Sequence, residues 1–361
     1  MKILQTGDWH LNSKSPLFWK QKEAVRDCIN LGNGVDAFFI TGDLCGLDAP
    51  HFLTHQERLF LCETFITMAE IAPVYIVAGN HDDPTEFSLF PLLKSTYPIT
   101  AAYDSVTSVT MSDGTTLVMA PWLGKASFGT TDTEAACDEL VLQINKLKPY
   151  RVLGHYPILG AIEGGFIKKH LDEITLLHNK IKSGFIHLGH QHQEQRHYVS
   201  ETEVHYAGSL FPVTMRETAP KGVLIHTNGR REFREVCSWQ NIKHELHQQG
   251  DSLTHDLFLA TYEDCVVRLD VFYSLDNPPA DSELGEIKDS ILKRNALSVT
   301  IRKVPAIREA RTAPYLQTHT TLEEKLHELL SRNINSDGQS PEVVEEAMLI
   351  YDSTREEIQR A

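Results

Sequence analysis

Residues 74–78 read V-Y-I-V-A and run straight into Gly79-Asn80-His81-Asp82. An unbroken apolar run of that length reads as a strand buried on both faces, the kind found inside a parallel sheet. In such sheets ligands bind at the carboxyl ends of the strands. The chain therefore sets an amide, an imidazole and a carboxylate where chemistry is done. Four more fragments end a strand in the same way. Asp8-x-His10 follows a strand at 2–6, and Gly42-Asp43 follows one at 37–41. Gly154-His155 follows 151–153, and Gly189-His190-x-His192 follows 186–188.

The spacing between these strands sets the fold class. Amphipathic helical periods at 19–31 and 54–72 alternate with the first three strands, giving a β-α-β-α-β run with parallel strands and right-handed crossovers. Next come an antiparallel hairpin (106–111 and 117–120, turning at Asp113-Gly114), a helix over 133–147, and strands near 204–206, 222–226 and 232–236. The expected class is α/β (α+β), a sandwich of two sheets with helices outside. Around 239–251 the chain turns polar, rich in His and Gln, which marks a domain boundary. Residues 254–305 read as a small α+β unit, with strands at 265–273 and 297–304 and a helix over 282–294. Two helices close the chain. Thr321 with Glu324 makes a capping box for one, while Ser340 and Pro341 start the other.

Composition narrows the class further. The length of 361 residues suits two or three units, and 41% hydrophobic residues can fill a sizeable core. No apolar run is long enough to span a bilayer, and residues 2–6 enter a strand at once, so a soluble cytoplasmic protein with no signal peptide is expected. The six cysteines are scattered without a C-x-x-C pair, which reads as a reduced compartment and excludes a thiolate zinc site. The net charge of −15 argues against nucleic acid as a partner, but positive charge is concentrated at 288–311, where Lys288, Lys293, Arg294, Arg302, Lys303, Arg308 and Arg311 face only two acids.

Together the five fragments offer two Asp, one Asn and four His, leaving out His81 and Asp82. One metal ion needs fewer ligands. Two divalent ions sharing one carboxylate need about this many. Imidazole, carboxylate and amide ligands without sulfur suit manganese, iron or zinc better than magnesium or calcium. Two such ions about 3.5–4 Å apart clamp an in-line displacement at phosphorus. His81 adjoins a ligand yet lies outside the set, so it can face the substrate as a general acid. Asp82 either holds the His81 ring or caps a helix or turn.

The order D-x-H, G-D, G-N-H-D, G-H, G-H-x-H resembles that of the calcineurin-like metallophosphoesterases. Within them the chain is most similar to SbcD-type nucleases of DNA repair and recombination, in particular the phage versions. The motifs span Asp8 to His192, and the later Tyr206-Ala-Gly-Ser209 with Glu217 resembles the segment that closes the family's catalytic domain. The resemblance implies that Asp8, His10, Asp43 and His192 hold one Mn2+ and that Asp43, Asn80, His155 and His190 hold the other. Asp43 is then the bridge and His81 the acid or transition-state stabiliser, with Mg2+ or other divalent ions as substitutes. It further implies a nuclease domain at 1–238, a DNA-capping domain at 254–305 and a partner-binding segment at 321–361. The implied partners are DNA and an SbcC-type SMC-like ATPase, with a homodimer inside a heterotetramer. The chain departs from many relatives at Cys45-Gly46, where they carry an aromatic and a polar residue, and at Asn12, where Gly is common.

The candidate DNA contacts are Lys293, Arg294, Arg302 and Lys303, with Lys168-Lys169 and Arg230-Arg231 as further basic pairs. The alternative reading is a phosphatase or cyclic-nucleotide phosphodiesterase on the same dinuclear core. The extra residues beyond the catalytic domain weigh against it. A non-catalytic scaffold should lose ligands, and here every ligand position is filled.

Overall fold

In the computed structural model, residues 1–47, 51–158, 162–163, 166–167, 174–199, 202–249, 252–253, 261–274 and 277–305 are described. The expected helix pair at 321–361 and Lys168-Lys169 lie outside them. In chain order the first half runs β1 (Lys2–Thr6), α1 (Phe18–Leu31), β2 (Ala37–Ile40), α2 (His55–Ala69), β3 (Val74–Val77), α3 (Pro84–Phe87), β4 (Ile99–Ala102), β5 (Thr107–Thr110) and β6 (Thr116–Ala120). There follow α4 (Thr133–Lys146), β7 (Arg151–His155), the short pair β8 (Ile162–Glu163) and β9 (Phe166–Ile167), β10 (Phe185–Gly189), β11 (Gln195–Val199) and β12 (Thr202–Tyr206). The last are β13 (Gly222–Thr227), β14 (Arg230–Glu235), β15 (Gln240–Gln249), β16 (Ser252–Leu253), β17 (Cys265–Tyr273), α5 (Asp281–Leu292) and β18 (Ser298–Pro305).

Two six-stranded sheets, in the orders β14-β13-β1-β2-β3-β4 and β11-β12-β10-β7-β6-β5, form the main architecture. Strands β1 to β4 run parallel, as the helical crossovers between them require. In the other sheet β6, β7, β10 and β12 run parallel, and antiparallel β5 and β11 close its edges. The layering follows from side-chain alternation along single strands. In β2, Phe38 and Ile40 pack in one cluster with Val25 and Cys28 of α1 and Phe65 and Met68 of α2. Phe39, between them, belongs to another cluster with Met119 of β6 and Leu153 of β7. One face of the first sheet thus meets helices and the other meets the second sheet, whose outer face packs Val152 and Ile186 against Leu140 and Ile144 of α4. Burying each of these large apolar side chains contributes about 1.5–3 kcal/mol.

Helix α2 starts at a complete capping box, Thr54 with Glu57. The Glu57 carboxylate also accepts the Ser13 N–H at 2.8 Å, which ties the loop after β1 to the helix. The polar stretch at 239–251 carries a strand, β15, on which Leu246 is buried. Gln and His on its alternate positions hide the period of two that Ile242, His244 and Leu246 keep.

The chain divides into two compact units. The first comprises Met1–Glu245, His255–Asp270 and Asp281–Arg302. The second comprises Leu246–Thr254, Val271–Ala280 and Lys303–Ala361, and within it His247 stacks on Phe272 with ring centroids 4.8 Å apart.

Candidate metal centre

All five loop fragments lie in the first unit, and backbone hydrogen bonds draw them together. Asp8 N–H donates to the Gly42 carbonyl at 2.8 Å, His10 N–H to Asp43 at 3.0 Å and Leu11 N–H to Leu44 at 3.0 Å. His190 N–H donates to Asp8 Oδ1 at 2.8 Å and His81 N–H to Asp43 Oδ1 at 2.9 Å. Asp82 is the staple between two of the loops. Its carboxylate accepts from Asp43 N–H, Leu44 N–H and Gly79 N–H at 2.8, 2.9 and 2.8 Å. The cap of α3 is instead the neighbouring Asp83, which accepts from Thr85 N–H. The loops approach so closely that a Cβ on Gly79 would lie 2.1 Å from Asp43 Oδ1, so glycine is required there.

The backbone that presents the side chains is not extended. Among the described residues, eight non-glycine positions have positive φ, and four of them are Asp8 (50°), His10 (43°), Asp43 (52°) and His190 (90°). Asp8/His10 and His190/His192 therefore do not converge through an extended i, i+2 alternation. Left-handed kinks at the strand ends aim them instead, a conformation that costs of order 1–3 kcal/mol per residue and clusters at functional sites.

The side chains meet as follows. His10 Nε2 lies 3.0 Å from His192 Nε2 and 3.7 Å from Asp43 Oδ2. His155 Nε2 lies 3.2 Å from the same Asp43 oxygen and 3.0 Å from Asn80 Oδ1. His190 Nδ1 is also 3.0 Å from Asn80 Oδ1. Asp43 Oδ2 thus sits between His10 on one side and the His155, Asn80 and His190 group on the other. Donor atoms of Asp8, His10 and His192 lie within 4.8 Å of one another, as do those of Asp8, Asp43 and His155 and those of His10, Asp43 and His81. Distance alone places His81 among the possible ligands as well, with its ring edge-on to His10 at 5.1 Å.

These residues fit divalent cations on three grounds. First, Asp8 Oδ2 is buried without a hydrogen-bond partner, which is costly for a carboxylate oxygen. Second, the histidine tautomers are set from behind. His10 Nδ1–H donates to the Gly46 carbonyl at 2.6 Å, and His155 Nδ1–H to the Thr41 carbonyl at 2.6 Å. Their Nε2 atoms are left to face carboxylate, amide and imidazole groups, an arrangement that needs positive charge, a proton or a metal ion, between them. Third, the local field asks for that charge. Burial lowers the His155 pKa, but the Asp43 carboxylate beside it prevails and holds it up at about 9. Burial likewise pushes Asp43 up, and the His155, His10 and His81 rings outweigh this and hold it well below the usual carboxylate range. Burial raises Asp8 to about 6 and lowers His10 to about 4.

Two supporting groups were not singled out as site residues from sequence. Glu217 accepts from His192 Nδ1 at 3.1 Å and from Lys221 Nζ at 2.7 Å; burial pushes its pKa up, but these partners outweigh it and hold it down at about 2. Trp122 stacks on the His190 ring, centroids 5.5 Å apart and planes 15° apart. It follows the carboxyl end of β6, the same position in a strand that marks the five fragments, and that was its available signal. The basic candidates lie elsewhere. Lys293 and Arg294 follow α5, and Arg302 and Lys303 are on β18. Arg302 donates to both oxygens of buried Asp270 at 2.9 and 3.0 Å, alongside Arg268 and Lys243. Arg231 pairs with Glu194.

Residues 1–194 match the calcineurin-like phosphoesterase family. The chain belongs to that family. The matched region contains all five loop fragments. Exonuclease subunit 1 of Enterobacteria phage T4 is 26% identical to it over 236 residues, 62% of this chain and 63% of that relative. The match therefore spans less than two-thirds of the relative's length. Among solved structures, GAP50, the anchor in the inner membrane complex of Plasmodium, aligns at 13% identity with a TM-score of 0.39, covering 65% of this chain and 89% of that one. A novel archaeal phosphodiesterase aligns at 13% identity with a TM-score of 0.33, covering 65% and 99%. At those scores neither likeness carries part of the assignment. No helix among the described residues is long and apolar enough to cross a membrane.

Proposed function

We propose that this phosphoesterase is a DNA nuclease subunit that hydrolyses phosphodiester bonds in recombination, repair or replication. The observation that carries the reading is the likeness to a phage exonuclease subunit: it covers 62% of the 361 residues, which is more than the family region of 1–194. In this reading Asp8, His10, Asp43 and His192 hold one Mn2+, and Asp43, Asn80, His155 and His190 hold the other. Bound there, the two ions supply Lewis acidity toward the phosphate and an activated water. The remaining work falls to the chain itself. Asp82 keeps the loops of Asp43 and Asn80 in register, and Glu217 orients the His192 ring. His81 donates a proton to the leaving alkoxide. We further propose a DNA-capping role for 254–305 and docking of 321–361 on a coiled-coil SbcC-type ATPase. Lys293, Arg294, Arg302 and Lys303 are the proposed contacts to DNA phosphates.

The test is a substrate panel. Purified protein with Mn2+ receives labelled linear duplex, circular single strand, a chromogenic phosphodiester and a phosphomonoester. Cleavage of DNA supports the reading. Hydrolysis of the small esters with both DNAs left intact would replace it with the phosphatase or cyclic-nucleotide phosphodiesterase alternative. His81→Asn should slow cleavage about 10²- to 10⁴-fold with Mn2+ binding retained. Lost Mn2+ binding would make His81 a ligand instead.

A further inference from the structure

Beside the metal cluster, within the first unit, lies an open cavity of about 230 Å3, far above the roughly 10–15 Å3 that admits one water. His10 forms part of its wall, so it is continuous with the cluster. Its floor is rigid. Phe211 and Trp239, both buried, stack with centroids 5.0 Å apart and planes 21° apart. Leu47 stands at the rim with 54% of its surface exposed. Val213 and Met215 add apolar surface, and Asn12, Thr214 and Asn241 add neutral hydrogen-bonding groups. Among the described residues, no Asp, Glu, Lys or Arg lines it.

That lining selects its occupant. A phosphate would call for Lys or Arg, and neither is among the described lining residues; the N-terminus of α1 reaches the wall at Leu17, but the Leu17, Phe18 and Gln21 N–H groups there already donate to Ser15 Oγ, the Ser15 carbonyl and the Leu17 carbonyl. A flat neutral group with apolar faces and a hydrogen-bonding edge fits instead. Resting on the nuclease reading above, we propose that the cavity receives a nucleobase flanking the scissile phosphate, so that the enzyme grips its substrate by a base as well as by the backbone. The wall is tied to the metal cluster through one carboxylate. Glu217 accepts from Val213 N–H at 3.1 Å and Thr214 N–H at 3.0 Å, and the same side chain accepts from His192 Nδ1 at 3.1 Å. Asn241 Nδ2–H donates to the Thr214 carbonyl at 2.8 Å and closes the turn from the other side. A base seated against this turn is thereby held in fixed relation to His192.

The experiment compares two oligonucleotides of equal length, one of thymidines and one of tetrahydrofuran abasic residues, which keep phosphate spacing and charge but carry no base. Base contacts of this kind contribute about 1–3 kcal/mol each, so kcat/KM should be about tenfold or more higher for the thymidine strand. Met215→Trp, which fills the cavity, and Leu47→Ala, which removes its rim, should each bring that ratio toward one. Equal kcat/KM for the two strands with the unaltered protein overturns the base pocket and leaves the nuclease reading standing. A ratio that neither substitution changes also overturns it. Hydrolysis of a chromogenic phosphoester with neither strand cut overturns the nuclease reading itself, and the pocket assignment with it.

Discussion

Removing the Asp82 carboxylate should loosen two loops at once. In Asp82→Ala the N–H groups of Asp43, Leu44 and Gly79 lose their shared acceptor inside the protein. Each buried donor left unpaired costs about 1–3 kcal/mol. Three of them cost at least about 3 kcal/mol, a large part of the 5–15 kcal/mol typical of folded domains. With a urea slope of about 3 kcal/mol per molar, the midpoint should fall by about 1 M or more. Asp82→Asn can keep one accepting oxygen at Oδ2, which serves Asp43 and Gly79, and turns an amide N–H toward the Leu44 N–H. It should cost less, about 1–3 kcal/mol. Because Asp43 rides on the loop that Asp82 holds, Mn2+ affinity should fall together with stability. The assays are urea unfolding followed by far-UV circular dichroism and Mn2+ titration by calorimetry. An Asp82→Ala protein that unfolds at the wild-type urea concentration refutes the staple. So does one that keeps its Mn2+ affinity while hydrolysis collapses, a result that would move Asp82 to the His81 ring.

Three further outcomes follow from the same geometry. Mn2+ at a hundred times its dissociation constant should stabilise the chain by about 2.7 kcal/mol, reversibly with EDTA, and Asp43→Asn should remove most of that gain; differential scanning fluorimetry reads both. Glu217→Gln withdraws the charge behind His192 and should weaken metal affinity about 10- to 100-fold, measured by calorimetry against the unchanged His197→Gln control. The third outcome concerns three buried histidines on facing sheets, whose ring centroids lie 4.7–5.8 Å apart: His187 Nδ1 and His226 Nε2 hydrogen-bond the Gln5 side-chain oxygen Oε1, and Gln5 Nε2–H donates to the His205 carbonyl. Burial and the neighbouring cationic groups hold His205 and His226 at about 2 and 3, and His187 well below its ordinary value, so the unfolded chain binds more protons than the folded one from about pH 6.5 downward. Stability is full above pH 6.5 and is lost as pH falls toward 3, by about 2 kcal/mol per ring at pH 5; His226→Gln should flatten the pH 7-to-5 slope in urea unfolding, and an unchanged slope counts against the cluster.

The sandwich was legible because its strands are buried on both faces. Residues 74–77 and 151–155 need no partner to announce themselves, and helices α1, α2 and α4 separate them at the distances a parallel sheet needs. Six strands escaped, of which β8, β9 and β16 are only two residues each. Ile99–Ala102 is four residues long with two small alanines, while Gln195–Val199 and Gln240–Gln249 carry polar side chains on alternate positions, which mask the period. The loop fragments were legible for a different reason. Asp, Asn and His bunched after a buried strand have no role in packing, so their presence is itself information. What positions them has no such signature. The carbonyls of Gly46 and Thr41 that fix His10 and His155 belong to the backbone, which every residue has. Glu217 lies 25 residues from His192 along the chain.

The left-handed turns at Asp8, His10, Asp43 and His190 complete the physical account. A non-glycine residue avoids that region, and four such residues at once cost several kcal/mol. The sequence could have relieved the strain with glycine at any of these positions, but a glycine brings no ligand. Gly42, Gly79 and Gly189 take the neighbouring positions instead, where a Cβ would strike Gly79 N, Asp43 Oδ1 or the Thr41 carbonyl. Glycine therefore stands where backbones must touch, and Asp or His stands where a donor atom must point inward. Between them the loops hold Asp8 Oδ2 without a partner and crowd the Nε2 atoms of His10 and His155 against the Asp43 carboxylate, behind a wall of buried strands. Folding alone does not recover that cost. Divalent cations bound as proposed above would recover it, because they would stabilise only the folded arrangement, and the strain in the loops and the affinity for metal would be two sides of one balance.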